Sequence, residues 1–350
     1  MRIIFIYFFI DMIPKGIHNL GNTCFINACM QILLQTNELD ILDTVVKTGE
    51  EQEENLECKI FQEWKLWKQN INNPEIPIIS PNSFIITVHQ VAQCKNFTLF
   101  TGFTQNDMPE FLLFLIESLH IYSKTNINYS IHGKIENEID KLALQTYKMI
   151  KSRYENDYSP LIDIFYGISI SSIYDIPNKN LISSVSEPFF LLDLPIYGKT
   201  IYDCLDNYIT YELIENENAW FNEKTQQKEN VFKRITFWNL PKILIITFKR
   251  FHTNMSPIHG MQLCKKTDFV DFPIDNLDLS KYIQGYNASK FKYELYGVCN
   301  HIGNVMGGHY TSFVKNKENQ WFHCNDTIIE KIENPQQIIT AMAYSVFYRR

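Results

Sequence analysis

Cysteine pairs of the CxxC kind are missing from this chain, although it holds eight cysteines, at positions 24, 29, 58, 94, 204, 264, 299 and 324. Their spacing has none of the rhythm of a disulfide framework, and 350 residues can bury a core without staples. Reduced thiols are therefore expected, and with them a cytoplasmic or nuclear protein. Internal repeats and low-complexity tracts are also lacking. There is no basic block: 32 Lys and Arg stand against 39 Asp and Glu, a formal charge of −7. That balance argues against nucleic acid as the main partner and suits a basic protein substrate better. The apolar run Ile3–Ile10 behind Arg2 is too short to span a bilayer as a helix, so no membrane partner is expected. No small-residue cleavage site follows it. Export would also expose glycosylation sequons at Asn96, Asn128, Asn287 and Asn325. Residues 1–15 read as an N-terminal apolar extension, either a hydrophobic strand or a stretch upstream of a start at Met12.

What the chain does have is 45% hydrophobic and 20% charged residues, the composition of a folded protein of one large or two joined domains. Its most informative stretch is GIHNLGNTCFINACMQILLQ, Gly16 to Gln35. A polar, glycine-marked loop turns there into a helix whose Phe25, Ala28, Cys29, Ile32 and Leu33 recur at helical spacing. Cys24 falls in the first turn, with Thr23 or Asn22 available as cap. Free N–H groups and the positive end of the helix dipole favour a thiolate there, and a lowered pKa makes a cysteine nucleophilic. A lone cysteine is more often a small buried residue, so a catalytic role needs a histidine elsewhere.

His309 is the candidate. It follows Gly307-Gly308 and begins an alternating run, so it starts a strand, and after a turn at Asn316–Asn319 the chain returns as Gln320–Asn325. Pairing symmetric about Lys317 sets His309 opposite Asn325; a loop one residue different sets it opposite Asp326. Either side chain can accept the Nδ1 proton of the imidazole and fix its tautomer.

Helical spacing is also found at Cys58–Gln69, from Ser80-Pro81 toward Val91, and at Lys134–Tyr154. At Gln105–His120, Asp107 and Glu110 form a capping-box pattern with Pro109 in the first turn. From Leu161 onward the pattern changes to strands, at 164–173, 189–195, 243–248, 291–299, 309–314 and 320–325. A helical part of about 16–160 and a β-rich part of about 161–350 make an α+β protein.

GIHNLGNTCFINACMQ resembles the cysteine box of the ubiquitin-specific proteases, and GGHYTSFVKNKENQWFHCND resembles their histidine box. QNDMPEFLLFLIESLH, NLPKILIITFKRF and DFVDFPIDNLDL also match, in the family's order, across nearly the whole chain from Gly16. The resemblance implies a single papain-like catalytic domain over residues 16–350, with helical thumb, antiparallel β palm and β fingers. It implies a thiol-dependent deubiquitinase without cofactor, acting on ubiquitin and ubiquitinated proteins. In the implied chemistry His309 takes the Cys24 proton, the thiolate attacks the C-terminal glycine carbonyl, and water hydrolyses the thioester. Asn325 is favoured as third member with Asp326 in support, and Asn19 matches the oxyanion-hole asparagine. Gln105, Asp107, Glu110 and Tyr310 are implied to contact the ubiquitin tail.

One departure stands out. Many members bind a structural zinc through paired cysteines where this chain reads YGISISSIYD and NAWFNEKTQ, and a tetrahedral site needs about four ligands. Cys204 is the one cysteine in that region. No metal is expected, and the fingers should hold by sheet pairing and packing. Two other readings remain: a catalytically silent ubiquitin-binding module, which the intact Cys24, His309, Asn325 and Asn19 weigh against, and a protease for a ubiquitin-like modifier.

Overall fold

The computed structural model describes residues 13–45, 56–256, 260–305 and 307–350. The run Ile3–Ile10 and most of the acidic stretch between Thr48 and Glu57 lie outside them.

The helices are α1 (Cys24–Leu34), α2 (Leu56–Asn72), α3 (Asn82–Cys94), α4 (Met108–Ser123), α5 (Glu138–Tyr154), α6 (Pro160–Phe165) and α7 (Ile201–Tyr208). The first strands are β1 (Gly16–Ile17), β2 (Ile78–Ile79), β3 (Gly167–Tyr174), β4 (Leu181–Phe189), β5 (Leu191–Pro195) and β6 (Glu212–Ile214). Next come β7 (Trp220–Asn222), β8 (Gln227–Glu229), β9 (Val231–Asn239), β10 (Ile243–Lys249), β11 (Phe251–Ser256) and β12 (Gly260–Lys265). The last are β13 (Leu277–Asp278), β14 (Lys292–Asn304), β15 (Gly307–Lys315), β16 (Trp321–Asn325), β17 (Ile328–Ile332) and β18 (Ala343–Arg349). Two compact units result, one of residues up to Tyr122 with Tyr296–Val346, the other of Ser123–Leu295 with Phe347–Arg350.

In the first unit, strands run in the order β17-β16-β15-β14-β18, and α1 packs against β15. Burial explains why α1 forms where its pattern says: Phe25, Ala28, Cys29, Ile32 and Leu33 are all buried. Phe25 meets Phe111 of α4 edge to face at 5.5 Å. Phe100 is buried in the same cluster although its φ of 60° is left-handed, a conformation a bulky side chain rarely takes.

The register of β15 decides the site. On one edge it pairs with β14, Ile302 opposite His309 and Gly303 opposite Gly308. On the other it meets β16 only from Ser312 opposite Cys324 to Lys315 opposite Trp321. The midpoint of 312 and 324 is 318, so the turn is centred on Glu318 and not on the expected Lys317. Asn316 is the cause. Its Oδ1 accepts from the N–H groups of Glu318 (3.1 Å) and Gln320 (2.8 Å), while Asn319 turns left-handed at φ 62°. Gln320 is drawn into the turn. Moving the centre by one residue moves each cross-strand partner by two, which keeps every side chain on its face. His309 and Asn325 become diagonal neighbours and not opposite ones.

In the second unit the strand order is β4-β3-β9-β6, with β7-β8 and β11-β12 as separate hairpins, and β5 pairs parallel to β10. Its strands begin at Gly167, not at Leu161, because Ser159-Pro160 starts α6 with proline at the first helical position. Two clusters stand in and beside the segments Tyr166–Asp175 and Asn218–Gln226. The Asn222 amide donates to both Glu229 oxygens at 3.0 and 3.1 Å, and Thr225 donates to Glu229 at 2.5 Å. Lys179 lies over the rings of Tyr211 and Phe232, and Arg234 over Tyr211. Among the described residues no group of three or more His, Cys, Asp or Glu is placed to hold a metal. Chelation should therefore change neither the melting temperature nor turnover, and metal analysis of purified protein should find no stoichiometric zinc; bound zinc whose removal unfolds the protein would contradict this.

Candidate active site

Cys24 is the first residue of α1 and is 2% exposed. Burial is the largest influence on its thiol and raises the pKa above the ordinary cysteine value. A hydrogen bond from the Tyr310 backbone opposes that rise, the negative charge of Asp326 reinforces it, and the Phe25 and Cys24 N–H groups oppose it. The lowered pKa expected for a first-turn cysteine is thus overturned by desolvation. The expected cap is also absent: the Thr23 side chain makes no cap bond. Its Oγ1 instead accepts from Leu20 N–H at 3.0 Å and donates to Asn19 Oδ1 at 3.2 Å. Asn22 is left-handed at φ 57° and donates to Phe103 O at 2.8 Å.

The Asn19 carbonyl gathers the loop, accepting from the N–H groups of Gly21 at 3.0 Å and Thr23 at 3.2 Å. That leaves its amide nitrogen to donate to Asp326 Oδ2 at 3.0 Å. Asp326 is itself left-handed at φ 50°, just past β16. Its other oxygen accepts from Asn27 at 2.7 Å, and its backbone carbonyl accepts from Ile17 N–H at 2.8 Å. Gly16 packs so close that a Cβ there would lie 2.4 Å from Thr327 O, so the glycine is required by the approach of backbone to backbone.

His309 and Asn325 meet, His309 Nε2 lying 2.7 Å from Asn325 Oδ1. The nitrogen engaged is Nε2 and not Nδ1 as expected. With the amide oxygen accepting, Nε2 carries the hydrogen and the neutral ring keeps Nδ1 as its proton acceptor. Asp326 turns toward Asn19 and Asn27 instead. The thiol of Cys24 meets the backbone of Tyr310, the residue after His309.

Gln105, Asp107 and Tyr310 come together in the same unit. Asp107 precedes α4, its carbonyl accepting from Phe111 N–H at 3.1 Å. Its carboxylate accepts from the Tyr310 hydroxyl at 2.8 Å and the Tyr344 hydroxyl at 2.7 Å. Burial, then the nearby Asp107 charge, pushes the Tyr310 phenol far up. Desolvation, then the Asp107 charge, raises the Glu110 carboxyl pKa. Two of these bonds run to a charged acceptor. Asp107→Asn should therefore cost about 1–3 kcal/mol in urea unfolding, more than the near-zero change expected of a helix cap alone.

Asn27 and Tyr344 escaped the sequence reading. Asn27 lies three residues beyond Cys24 on the same helix face, a spacing that could have drawn notice. Nothing in the sequence near Tyr344 ties it to Asp107, 237 residues away.

Comparison with known proteins follows the same lines. The family described as ubiquitin carboxyl-terminal hydrolase matches residues 15–348. Human ubiquitin carboxyl-terminal hydrolase 2 is 28% identical over 348 residues, covering 95% of this chain and 54% of that protein. Ubiquitin carboxyl-terminal hydrolase 4 of Saccharomyces cerevisiae is 28% identical over 379 residues, covering 96% of this chain and 39% of that protein. The chain thus spans about half the length, or less, of these curated relatives. Among solved structures, the Ubp8/Sgf11/Sus1/Sgf73 DUB module of SAGA bound to monoubiquitin shares the fold. Its TM-score is 0.68 at 22% identity, over 96% of this chain and 68% of that one.

Proposed function

This chain belongs to the ubiquitin carboxyl-terminal hydrolase family, and on that premise we propose that it is a thiol-dependent deubiquitinase. It hydrolyses the peptide or isopeptide bond after the C-terminal glycine of ubiquitin. The observation that carries this reading is the 2.7 Å contact of His309 Nε2 with Asn325, beside a Cys24 thiol bonded to the Tyr310 backbone.

Because burial keeps the thiol protonated, the nucleophile is generated by transfer of its proton to His309 Nδ1. The thiolate adds to the glycine carbonyl, and the oxyanion takes hydrogen bonds from the Cys24 backbone N–H and the Asn19 amide. His309 then returns the proton to the departing amine. In the second half His309 draws a proton from water, which adds to the thioester, and the collapse releases free ubiquitin and the thiol. Asn325 holds the imidazole in its tautomer, and Asp326 aims the Asn19 amide. Asp107, Glu110 and Tyr310 border the path of the ubiquitin tail, and the Asp107–Tyr310–Tyr344 contacts give that border its rigidity. A reducing site of action, cytoplasm or nucleus, fits eight thiols with no disulfide.

The test is a ubiquitin probe carrying a C-terminal electrophile. Covalent capture lost in Cys24→Ala is the expected result. Binding without capture would make the chain a silent ubiquitin-binding module, and capture by a ubiquitin-like probe alone would change the modifier.

A further inference from the structure

β15 carries His309 near its free end, and that end is supported on one edge only. Pairing with β14 reaches Asn304 opposite Gly307, whereas pairing with β16 stops at Ser312. A residue in an antiparallel strand turns its N–H and C=O to the same edge, and neighbours alternate. The outer edge at Gly308 would be left bare. Gln105 fills it: Gly308 N–H donates to Gln105 Oε1 at 2.8 Å, and Gln105 Nε2 donates to Gly308 O at 2.8 Å. One side-chain amide thus makes both bonds that a partner strand would make. Gln105 Nε2 also lies 3.4 Å from Asn22 Oδ1, two residues before Cys24.

We propose that Gln105 is a positioning residue that substitutes for the missing strand, locking the His309 end of β15 to the loop that presents Cys24. Strand ends fray, and Gly307 and Gly308 give this one more backbone freedom than other residues would. His309 can hold its imidazole on Asn325 only while the backbone one residue earlier stays in place. The neighbouring glycines fit this role. A Cβ at Gly307 would stand 2.9 Å from Gln105 Oε1, so any larger residue pushes the amide away, and a Cβ at Gly308 would stand 2.3 Å from His301 Nε2. The inference deepens the reading above: Gln105, assigned to the ubiquitin tail on resemblance, acts on the enzyme's own catalytic strand.

The experiment is a double-mutant cycle of Gln105→Ala and Gly307→Ala, with Gln105→Glu as a variant that keeps the acceptor and loses the donor. Turnover of a ubiquitin–fluorophore substrate and the pH profile of Cys24 alkylation by iodoacetamide are both recorded. Each single substitution should lower kcat about tenfold with KM little changed. The double variant should be no worse than the singles, because both break one contact. The alkylation profile should shift in all variants, a readout that needs no ubiquitin and so stands even if the wild type proves inactive on it. Melting curves establish that each variant is folded. A raised KM at constant kcat, additive losses, or an unmoved alkylation profile would each overturn the proposal.

Discussion

Cys24→Ala abolishes turnover, with a loss on the order of 10⁵–10⁶ in kcat, while Cys29→Ala leaves most of it. Both thiols are buried and neither pKa favours a thiolate, since burial raises both. What separates them is the neighbourhood. Cys29 is 0% exposed and desolvation is the sole cause of its shift, whereas Cys24 meets the backbone N–H groups of Tyr310 and Phe25. The Tyr310 backbone that Cys24 meets directly follows His309, the proposed proton acceptor. The same argument gives a pH dependence with a definite sign. In His309→Ala the thiol must ionise alone, so its alkylation by iodoacetamide should be slow at neutral pH and rise only above the ordinary cysteine range. With His309 present, proton transfer to Nδ1 should bring the reactive form down to lower pH. Equal profiles in the two proteins, or an active Cys24→Ala, would dismiss the assignment of nucleophile and base.

Much of this site could be read before the fold was seen, and the physical reasons differ by residue. The position of Cys24 at a helix start follows from a local pattern, apolar residues at helical spacing after a glycine-marked loop. The common face of His309 and Asn325 survived a wrong turn centre because a displacement of one residue moves partners by two. The choice of Nε2 was not legible, since it depends on the side of the ring that the diagonal geometry presents. The thiol pKa was misjudged for a similar reason: the helix terminus is local, but the burial that outweighs it comes from packing across the whole unit. Long-range pairs such as Asn27 with Asp326 and Tyr344 with Asp107 join residues 299 and 237 positions apart, and no pattern in either segment encodes its partner. Short strands such as β6, β7 and β8, of three residues each, carry too little alternation to be recognised.

Asn325 and Asp326, adjacent in sequence, should fail in different ways when replaced. Asn325 touches His309, so Asn325→Ala should lower kcat about a hundredfold or more, with the fold intact because that contact is half-exposed. Asn325→Asp should retain substantial activity, since a carboxylate oxygen can accept the same Nε2 proton. Asp326 acts elsewhere: it accepts from Asn19 and from Asn27, which is 2% exposed, and its backbone carbonyl holds Ile17. Asp326→Ala takes the 2.7 Å partner from a buried amide, leaving it a 3.4 Å bond to His18 O, and releases the Asn19 donor, so it should cost about 1–3 kcal/mol of stability and about 10²–10³ in kcat. Turnover alone would not tell the two apart. The thiol does, because the Asp326 charge raises the Cys24 pKa. In a His309→Ala background, Asp326→Asn should move the alkylation profile of Cys24 to lower pH, although the intact enzyme carrying the same change is slower. Asn325→Ala in that background should leave the profile where it is. If Asn325→Ala shifts the thiol and Asp326→Asn does not, the two residues have exchanged roles, and Asp326 is the partner of His309.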